Sequence, residues 1–566
     1  MDNKNTIIGR FLDIAERHPD AEALGYYESG SFKTVTYREL KDAVVSFASH
    51  IASHGVRAGD TCALFLENGP DWAVADLAVA YLGGVSVPIH TTYNEHYVEH
   101  ILTHADIKYL FVAGELAGKV AKVLPRLEKL RNVIVRGQEG MLFAKSDMIH
   151  SHESFMRVAS KEKAEQHHGS GEDVHTIVYT SGTTGVPKGA VLTNANILSN
   201  VDGAKEYISV SETDRFLSFL PLSHILERTA GYYVPLLSGS AVYFARSSKT
   251  LSEDMKLTRP TILISVPRVF EKAHEKIMAK FSSPFLHGVF KHAMHHARSK
   301  NAWQRFYGAT LFKKIKASFG GRLRFAVSGG AALPKHIAEF FEALGILIVE
   351  GYGLTETSPI LAMNTLRKYR FGTVGIPLKS VQIKIGSDGE ILANGEGLMK
   401  EYYRAPDLTK QAIDSEGWFH TGDRGSFDAD GFLRIEGRLK EMLALSTGRN
   451  VFPVPIEQAL EESPYIKQAM VFGDKKRAIA AFIVPEFEKL HRWCTENGIE
   501  YIIPSVLNHQ KVLDLYQKET QVTLVRFQSF EQVSQFKLLP EEFTQEGDLL
   551  TPTQKLKRKE IIEKYC

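Results

Sequence analysis

Short apolar, β-branched runs recur through the first two thirds of the chain: "TCALFL", "VSVPIH", "YLFVAG", "NVIVRG", "TIVYT", "TILISVP", "RFAVSGG" and "ILIVEGYG". Between them lie longer segments such as "YRELKDAVVSFASHIASHG" and "PDWAVADLAVAYLGG", whose length and apolar repeat suit helices packed on a core. Strand and helix patterns alternating in this way predict βαβ units and mostly parallel, doubly wound sheets. From about residue 372 the texture changes to short strands broken by tight turns, "VQIKIGSDGEILANG" and "GFLRIEGR", the pattern of a small β-barrel-like module. Past Lys440, mixed helix and strand patterns continue to a basic tail, "TPTQKLKRKEIIEKY". No internal repeat and no low-complexity linker interrupts the chain, so a boundary near 440 is a tight hinge and not a tether. The expected fold class is α/β. A large N-terminal domain over 1–439 holds the doubly wound sheet subdomains and the barrel-like module, and a small α+β C-terminal domain covers 440–566.

Composition narrows the class. With 566 residues, 44% apolar and 24% charged, the chain has the balance of a multidomain globular protein with a large buried core, not of a disordered one. A formal net charge of +2 gives no global case for nucleic acid, but the charge is unevenly spread. Between Glu275 and Glu339 there is no Asp or Glu, while twelve Lys or Arg residues occur among aromatics that include Phe281, Phe285, Phe290, Trp303, Phe306 and Tyr307. This stretch reads as one or two helices with a basic face, suited either to an anionic membrane surface or to plain solvation. No apolar run has the length of a membrane span and the first residues lack a signal-peptide core, so peripheral contact with the inner face of a membrane is the most that is expected. Cys62, Cys494 and Cys566 show neither pairing nor metal spacing, which fits a reducing cytoplasm. His292, His295 and His296 have no carboxylate or cysteine nearby and belong with the basic face, not with a metal.

Chemistry concentrates in "YTSGTTGVPKGA", residues 179–190. Hydroxyls of Thr180, Ser181, Thr183 and Thr184, with backbone N–H groups freed by Gly182 and Gly185, can converge on phosphate oxygens, and Lys188 adds a point charge. The spacing is not that of the P-loop, because Pro187 precedes the lysine and Gly189 follows it. Four further segments extend the pattern. "VEGYGLTET" brings Tyr352, Thr355 and Glu356 together after an apolar run, an aromatic face for a base and a carboxylate for a hard cation. "GWFHTGD" exposes Asp423 to accept from sugar hydroxyls, "EGRLKE" offers Arg438, and the tail offers Lys555.

Together and in this order these segments resemble the adenylate-forming superfamily, from roughly residue 8 to the end. The subgroup cues "LPLSHILER", "SVPRVFEKAHEKI", "GGRLRFAVSGGAALP" and "LTPTQKLKRK" are most similar to long-chain fatty-acid:CoA ligases. The resemblance implies ATP, Mg2+ and coenzyme A as ligands beside a fatty acid. It assigns the opening loop, Thr180 to Gly185 with Lys188, to the β- and γ-phosphates, and Tyr352 to adenine. Gly330, Ala331, Glu350, Gly351 and Gly353 fall in the same nucleotide site. Thr355 is assigned to the α-phosphate, Glu356 to magnesium, and Asp423 with Arg438 to the ribose. His224 matches the residue near the acyl carboxylate and the acyl tunnel, with "TAGYYVPLLSG" as tunnel wall. Lys440 matches the hinge of a mobile C-terminal domain. Lys555 matches the lysine that bridges carboxylate and α-phosphate in the first half-reaction.

The chain departs from the pattern at Glu401, where relatives carry glycine, at Ala444, where many carry lysine, and at Arg449, where Glu is usual. The last two fall in the loop expected to face CoA. Two alternatives stand beside the CoA ligase: a fatty acyl-AMP ligase that delivers to an acyl carrier protein, and a non-catalytic lipid-binding relative. The rotation-blocking insertion of the first is not evident after "GRLKE", and the second would have lost Lys555 or Glu356. Chain-length preference and oligomeric state are open, a dimer being compatible.

Overall fold

The computed structural model describes residues 3–137, 148–160, 162–180, 187–281, 312–544, 547, 549–550 and 556–566. Ser181, Gly182, Thr183, Thr184, Gly185 and Lys555 therefore lie outside the described residues, as do His292, His295, His296 and the aromatics of the basic stretch from Phe285 to Tyr307.

The eight apolar runs form strands, and they sort into two large sheets. One has eight strands in the spatial order Glu401–Tyr402, Lys188–Thr193, Val174–Thr180, Val85–Pro88, Thr61–Phe65, Tyr109–Ala113, Asn132–Arg136 and Ile149–His152. Val174–Thr180 and every strand beyond it to Ile149–His152 pair in parallel, and the remaining two pairings are antiparallel. The other has nine strands, with a parallel centre running Glu22–Glu28, Ala241–Phe244, Arg215–Ser218, Ile262–Ser265, Phe325–Ser328 and Leu347–Gly353. Its strands read as unbroken apolar runs because both faces are covered. Phe216, Ile262, Val327 and Val349 enter one core, and Leu217, Leu263, Ala326 and Ile348 enter a second.

Helices start where local chemistry stops the strand. Tyr37–Ser53 is opened by a capping box in which Thr36 accepts from the Glu39 N–H while Glu39 accepts from the Thr36 N–H. Pro70–Tyr81 starts on its proline, whose missing N–H costs nothing there. The stretch after residue 372 forms the small module, a four-stranded sheet of Val381–Ile385, Glu390–Gly395, Phe419–Phe427 and Leu433–Arg438.

The chain divides into two compact units, and the cut is not a single point at 439. The larger holds 1–384, 392–421 and 427–434; the smaller holds 385–391, 422–426 and 435–566. Within the smaller, a three-stranded sheet of Ile466–Phe472, Ala480–Pro485 and Gln535–Leu538 carries helices that include Pro453–Leu460 and Arg558–Tyr565. Its tail is tied down by a bidentate pair, in which Arg558 donates to both carboxylate oxygens of buried Glu457 at 2.6 and 2.7 Å.

Of the basic stretch, residues 276–281 and 312–338 are described, the first at the end of the helix Pro267–Ala279 and the second opening with the helix Lys313–Ser318. Lys313 and Lys314 are exposed, whereas Lys316 is half-buried and lies over Gly345. The segment 229–237 is buried throughout and forms most of a π-helical turn, Glu227–Tyr233, running into Val234–Leu236.

Candidate active site

In the larger unit the predicted residues gather at the C-terminal ends of parallel strands, where open α/β sheets place their ligands. Thr180 ends one strand and Lys188 begins the next, and the two are register partners across the antiparallel pair. Lys188 Nζ stands 5.4 Å from the centre of the Tyr402 ring. The Tyr402 hydroxyl in turn donates to Glu356 Oε1 at 2.7 Å. A cation, a phenol and a carboxylate from three separate stretches of the sequence thus form one contiguous polar set.

The turn that carries Thr355 and Glu356 is held from several sides. Gly353 ends its strand so close to the returning chain that a Cβ would stand 1.6 Å from the Pro359 carbonyl oxygen, so no side chain fits there. Thr355–Thr357 is a single 3-10 turn. Buried Asn200 donates to the Thr357 carbonyl at 3.1 Å and accepts from Ile360 N–H at 2.5 Å, and Met399 N–H donates to the Glu356 carbonyl at 2.7 Å. Glu356 is therefore a carboxylate on a fixed backbone that accepts from the Tyr402 hydroxyl. A single hard carboxylate of this kind fits a magnesium ion, which keeps most of its ligands as water and substrate phosphates.

One strand over, Ser328 and Glu350 are register partners, which places Gly330 and Ala331 beside the Glu350–Gly353 segment. Gly330 holds φ at +82° and both residues are exposed. Glu350 is buried and accepts from Leu333 N–H at 3.0 Å. Burial pushes its carboxyl up to about 7, against the backbone N–H groups that favour the charged form. Tyr352 is half-buried and packs on the main core.

His224 follows the strand Arg215–Ser218, in a tight turn where its N–H donates to Pro221 O at 2.9 Å and its Nδ1 accepts from Leu226 N–H at 3.3 Å. The same segment abuts Gly329, next to Gly330, since a Cβ on Gly329 would meet the Leu226 side chain at 3.1 Å. Beyond it Arg228 is fully buried and donates to Tyr233 Oη at 2.9 Å, Thr176 Oγ1 at 2.8 Å and Ser86 Oγ at 2.7 Å, with Asp76 as its ion partner. Glu227 is also fully buried, and burial pushes its carboxyl up to about 8, while nearby Ser218 and Phe219 favour its charged form without making a well-aligned hydrogen bond. In the described residues, 229–237 packs the core.

In the smaller unit, Asp423 and Arg438 come from neighbouring strands of the small sheet and meet at 3.0 Å, with the Asp423 side chain 8% exposed. Lys440 is exposed in the 3-10 turn Leu439–Glu441, directly after the strand that ends at Arg438. Of the departures, Glu401 is exposed and pairs with Val191, Ala444 sits in a two-residue strand, and the Arg449 guanidinium lies 5.4 Å from the Phe530 ring centre. Tyr402 and Asn200, which contact Glu356 and hold its turn, are residues that the linear reading missed. Tyr402 alone had a trace, as the aromatic beside the unusual Glu401.

Comparison with known proteins adds the family. Residues 11–403 match the model described as AMP-binding enzyme, and residues 440–528 match that of the AMP-binding enzyme C-terminal domain. The chain is 32% identical over 573 residues to a long-chain-fatty-acid–CoA ligase of Mycobacterium bovis, covering 95% of this chain and 92% of that one. It is 29% identical to a chloroplastic long-chain-fatty-acid–[acyl-carrier-protein] ligase of Arabidopsis thaliana, covering 97% and 84%. Among solved structures, the adenylation domain of a carboxylate reductase from Mycobacterium chelonae superposes with a TM-score of 0.79 at 25% identity, covering 99% of this chain and 90% of that one.

Proposed function

This chain belongs to the AMP-binding enzyme family, and on that premise we propose that it is an AMP-forming ligase that activates a long-chain fatty acid with ATP and passes the acyl group to CoA. The observation that carries the proposal is the joined set Lys188, Tyr402 and Glu356 on the rigid turn beside Thr355. In the first half-reaction a carboxylate oxygen of the fatty acid attacks the α-phosphorus, the bond to the β-phosphate oxygen breaks, and pyrophosphate leaves. Two anions must meet, so positive charge and alignment are what the protein has to supply. Thr180, Lys188 and the loop between them hold the phosphates, Thr355 orients the α-phosphate, and Tyr352 with Gly330, Ala331 and the Glu350–Gly353 segment receives adenine. Glu356 would hold Mg2+, which when bound supplies positive charge against the leaving pyrophosphate. Asp423 and Arg438 take the ribose hydroxyls.

In the second half-reaction the CoA thiolate attacks the acyl carbonyl and AMP departs with its oxygen. The C-terminal region, turning about Lys440, withdraws Lys555 between the two steps. Delivery to an acyl carrier protein is the second reading, favoured by the Arabidopsis relative. Pyrophosphate release measured with and without fatty acid, CoA and a carrier protein separates the two. Release that depends on fatty acid and turns over only with CoA is expected; release indifferent to fatty acid contradicts the proposal.

The substrate partitions into bilayers, and among the described residues no helix is long and apolar enough to cross a membrane. We place a peripheral contact on the basic stretch, where Lys313 and Lys314 are two adjacent exposed cations among the described residues. Lysines near an anionic surface contribute about 1 kcal/mol each, so Lys313→Glu with Lys314→Glu should weaken co-sedimentation with anionic vesicles by about tenfold or more in low salt. Turnover of a soluble short-chain acid should stay at the wild-type rate. Unchanged sedimentation would leave the stretch as a solvated face.

A further inference from the structure

Asn68 lies just past the strand Thr61–Phe65 of the eight-stranded sheet, and its carboxamide reaches the turn after Arg215–Ser218 in the nine-stranded sheet. Its Nδ2 donates to the Leu220 carbonyl at 2.6 Å and lies 3.4 Å from Ser218 Oγ, and its Oδ1 accepts from Leu222 N–H at 2.9 Å. The two bonded backbone groups flank Pro221, which has no N–H of its own, in a stretch outside any strand or helix. One side chain therefore fixes the backbone on both sides of that proline. The next bond along is the one His224 is built on, its N–H donating to Pro221 O at 2.9 Å.

We infer that Asn68 is the positioning residue for His224: its carboxamide, bridging the two sheets, sets the Leu220–Leu222 turn and with it the place of the imidazole at the acyl end of the site. This rests on the reading of His224 as the neighbour of the acyl carboxylate. The chemistry is specific to an amide, which presents a donor and an acceptor side by side. Aspartate keeps the volume and the acceptor but turns a negative oxygen toward the Leu220 carbonyl, and alanine removes both bonds.

The test is a double-mutant cycle on fatty-acid-dependent pyrophosphate release, using the full chain with Asn68→Ala, Asn68→Asp, His224→Ala and the Asn68→Ala, His224→Ala double variant. A displaced group near the reacting atoms costs up to about a hundredfold, so Asn68→Ala should lose about tenfold to a hundredfold in kcat/KM for fatty acid. KM for ATP should stay near wild type, and Asn68→Asp should lose at least as much as Asn68→Ala. In the His224→Ala background the same change should add little, because the group being positioned is gone. If Asn68→Ala folds poorly by its thermal melt, Asn68→Asp, of equal volume, carries the comparison. Wild-type kcat/KM for the Asn68 variants, or an equal loss in both backgrounds, overturns the inference while leaving His224 in its role. Wild-type rates for His224→Ala overturn the reading of His224, and the inference with it.

Discussion

Lys555→Ala is expected to lose acyl-adenylate formation by a factor on the order of a hundred or more, as positioned charges do when removed from a site of developing negative charge. It is expected to leave largely intact the formation of thioester from supplied acyl-AMP. The asymmetry has a chemical cause. In the first step a carboxylate approaches a phosphate, and a lysine between them relieves repulsion and fixes alignment; in the second, a thiolate meets a carbonyl already joined to AMP, and that lysine has no task. Lys555 lies outside the described residues, but the residues directly after it are anchored. Leu556 bridges to Leu550, the Lys557 N–H donates to Leu549 O at 3.0 Å, and Arg558 grips Glu457 through two bonds. Rates of adenylation and thioesterification, measured separately on the same preparation, decide the matter. Equal loss in both would show that Lys555 serves the fold or both steps alike.

Lys440→Pro is expected to produce the opposite asymmetry. The residue sits in a three-residue turn immediately after a strand that ends at Arg438, a place where the backbone can swing without breaking a ladder. Proline fixes φ at about −65° and removes that freedom. If the C-terminal region must turn there between the two half-reactions, adenylate formation should stay near the wild-type rate while thioester formation collapses, and acyl-AMP should accumulate on the enzyme. A wild-type overall rate would place the hinge elsewhere. The compact units give reason to test neighbouring positions too, because 422–426 and 385–391 group with the C-terminal region.

The parallel strands were legible because each is buried on both faces and so reads as an unbroken apolar run; "TILISVP", "RFAVSGG" and "ILIVEGYG" became three neighbours in one sheet. Asp423 and Arg438 were each picked out, but not as a pair: "GWFHTGD" was read as exposing Asp423, whereas it is buried in the strand Phe419–Phe427 and meets Arg438 from the neighbouring strand. Tyr402 was not picked out. It reaches Glu356 only because the two-residue strand Glu401–Tyr402 pairs with Lys188–Thr193, a register that nothing in "LMKEYYRAP" announces. Asn68 was invisible for the same reason: a single Asn in a turn has a dozen local uses, and its actual partners lie 152 and 154 positions away. The domain cut was read as one point near 440, whereas parts of the strands of the small sheet group with one compact unit and parts with the other. Chemistry carried by contiguous residues is open to a linear reading, and chemistry assembled across two sheets is not.

The central claim, that carboxylate attacks the α-phosphate to give an acyl-AMP, is tested most directly by a fatty acid labelled with oxygen-18 in both carboxylate oxygens. With ATP, Mg2+ and CoA present, one labelled oxygen should appear in AMP and the other should stay in the thioester carbonyl, with none in pyrophosphate. Label in pyrophosphate or orthophosphate, with unlabelled AMP, would contradict it.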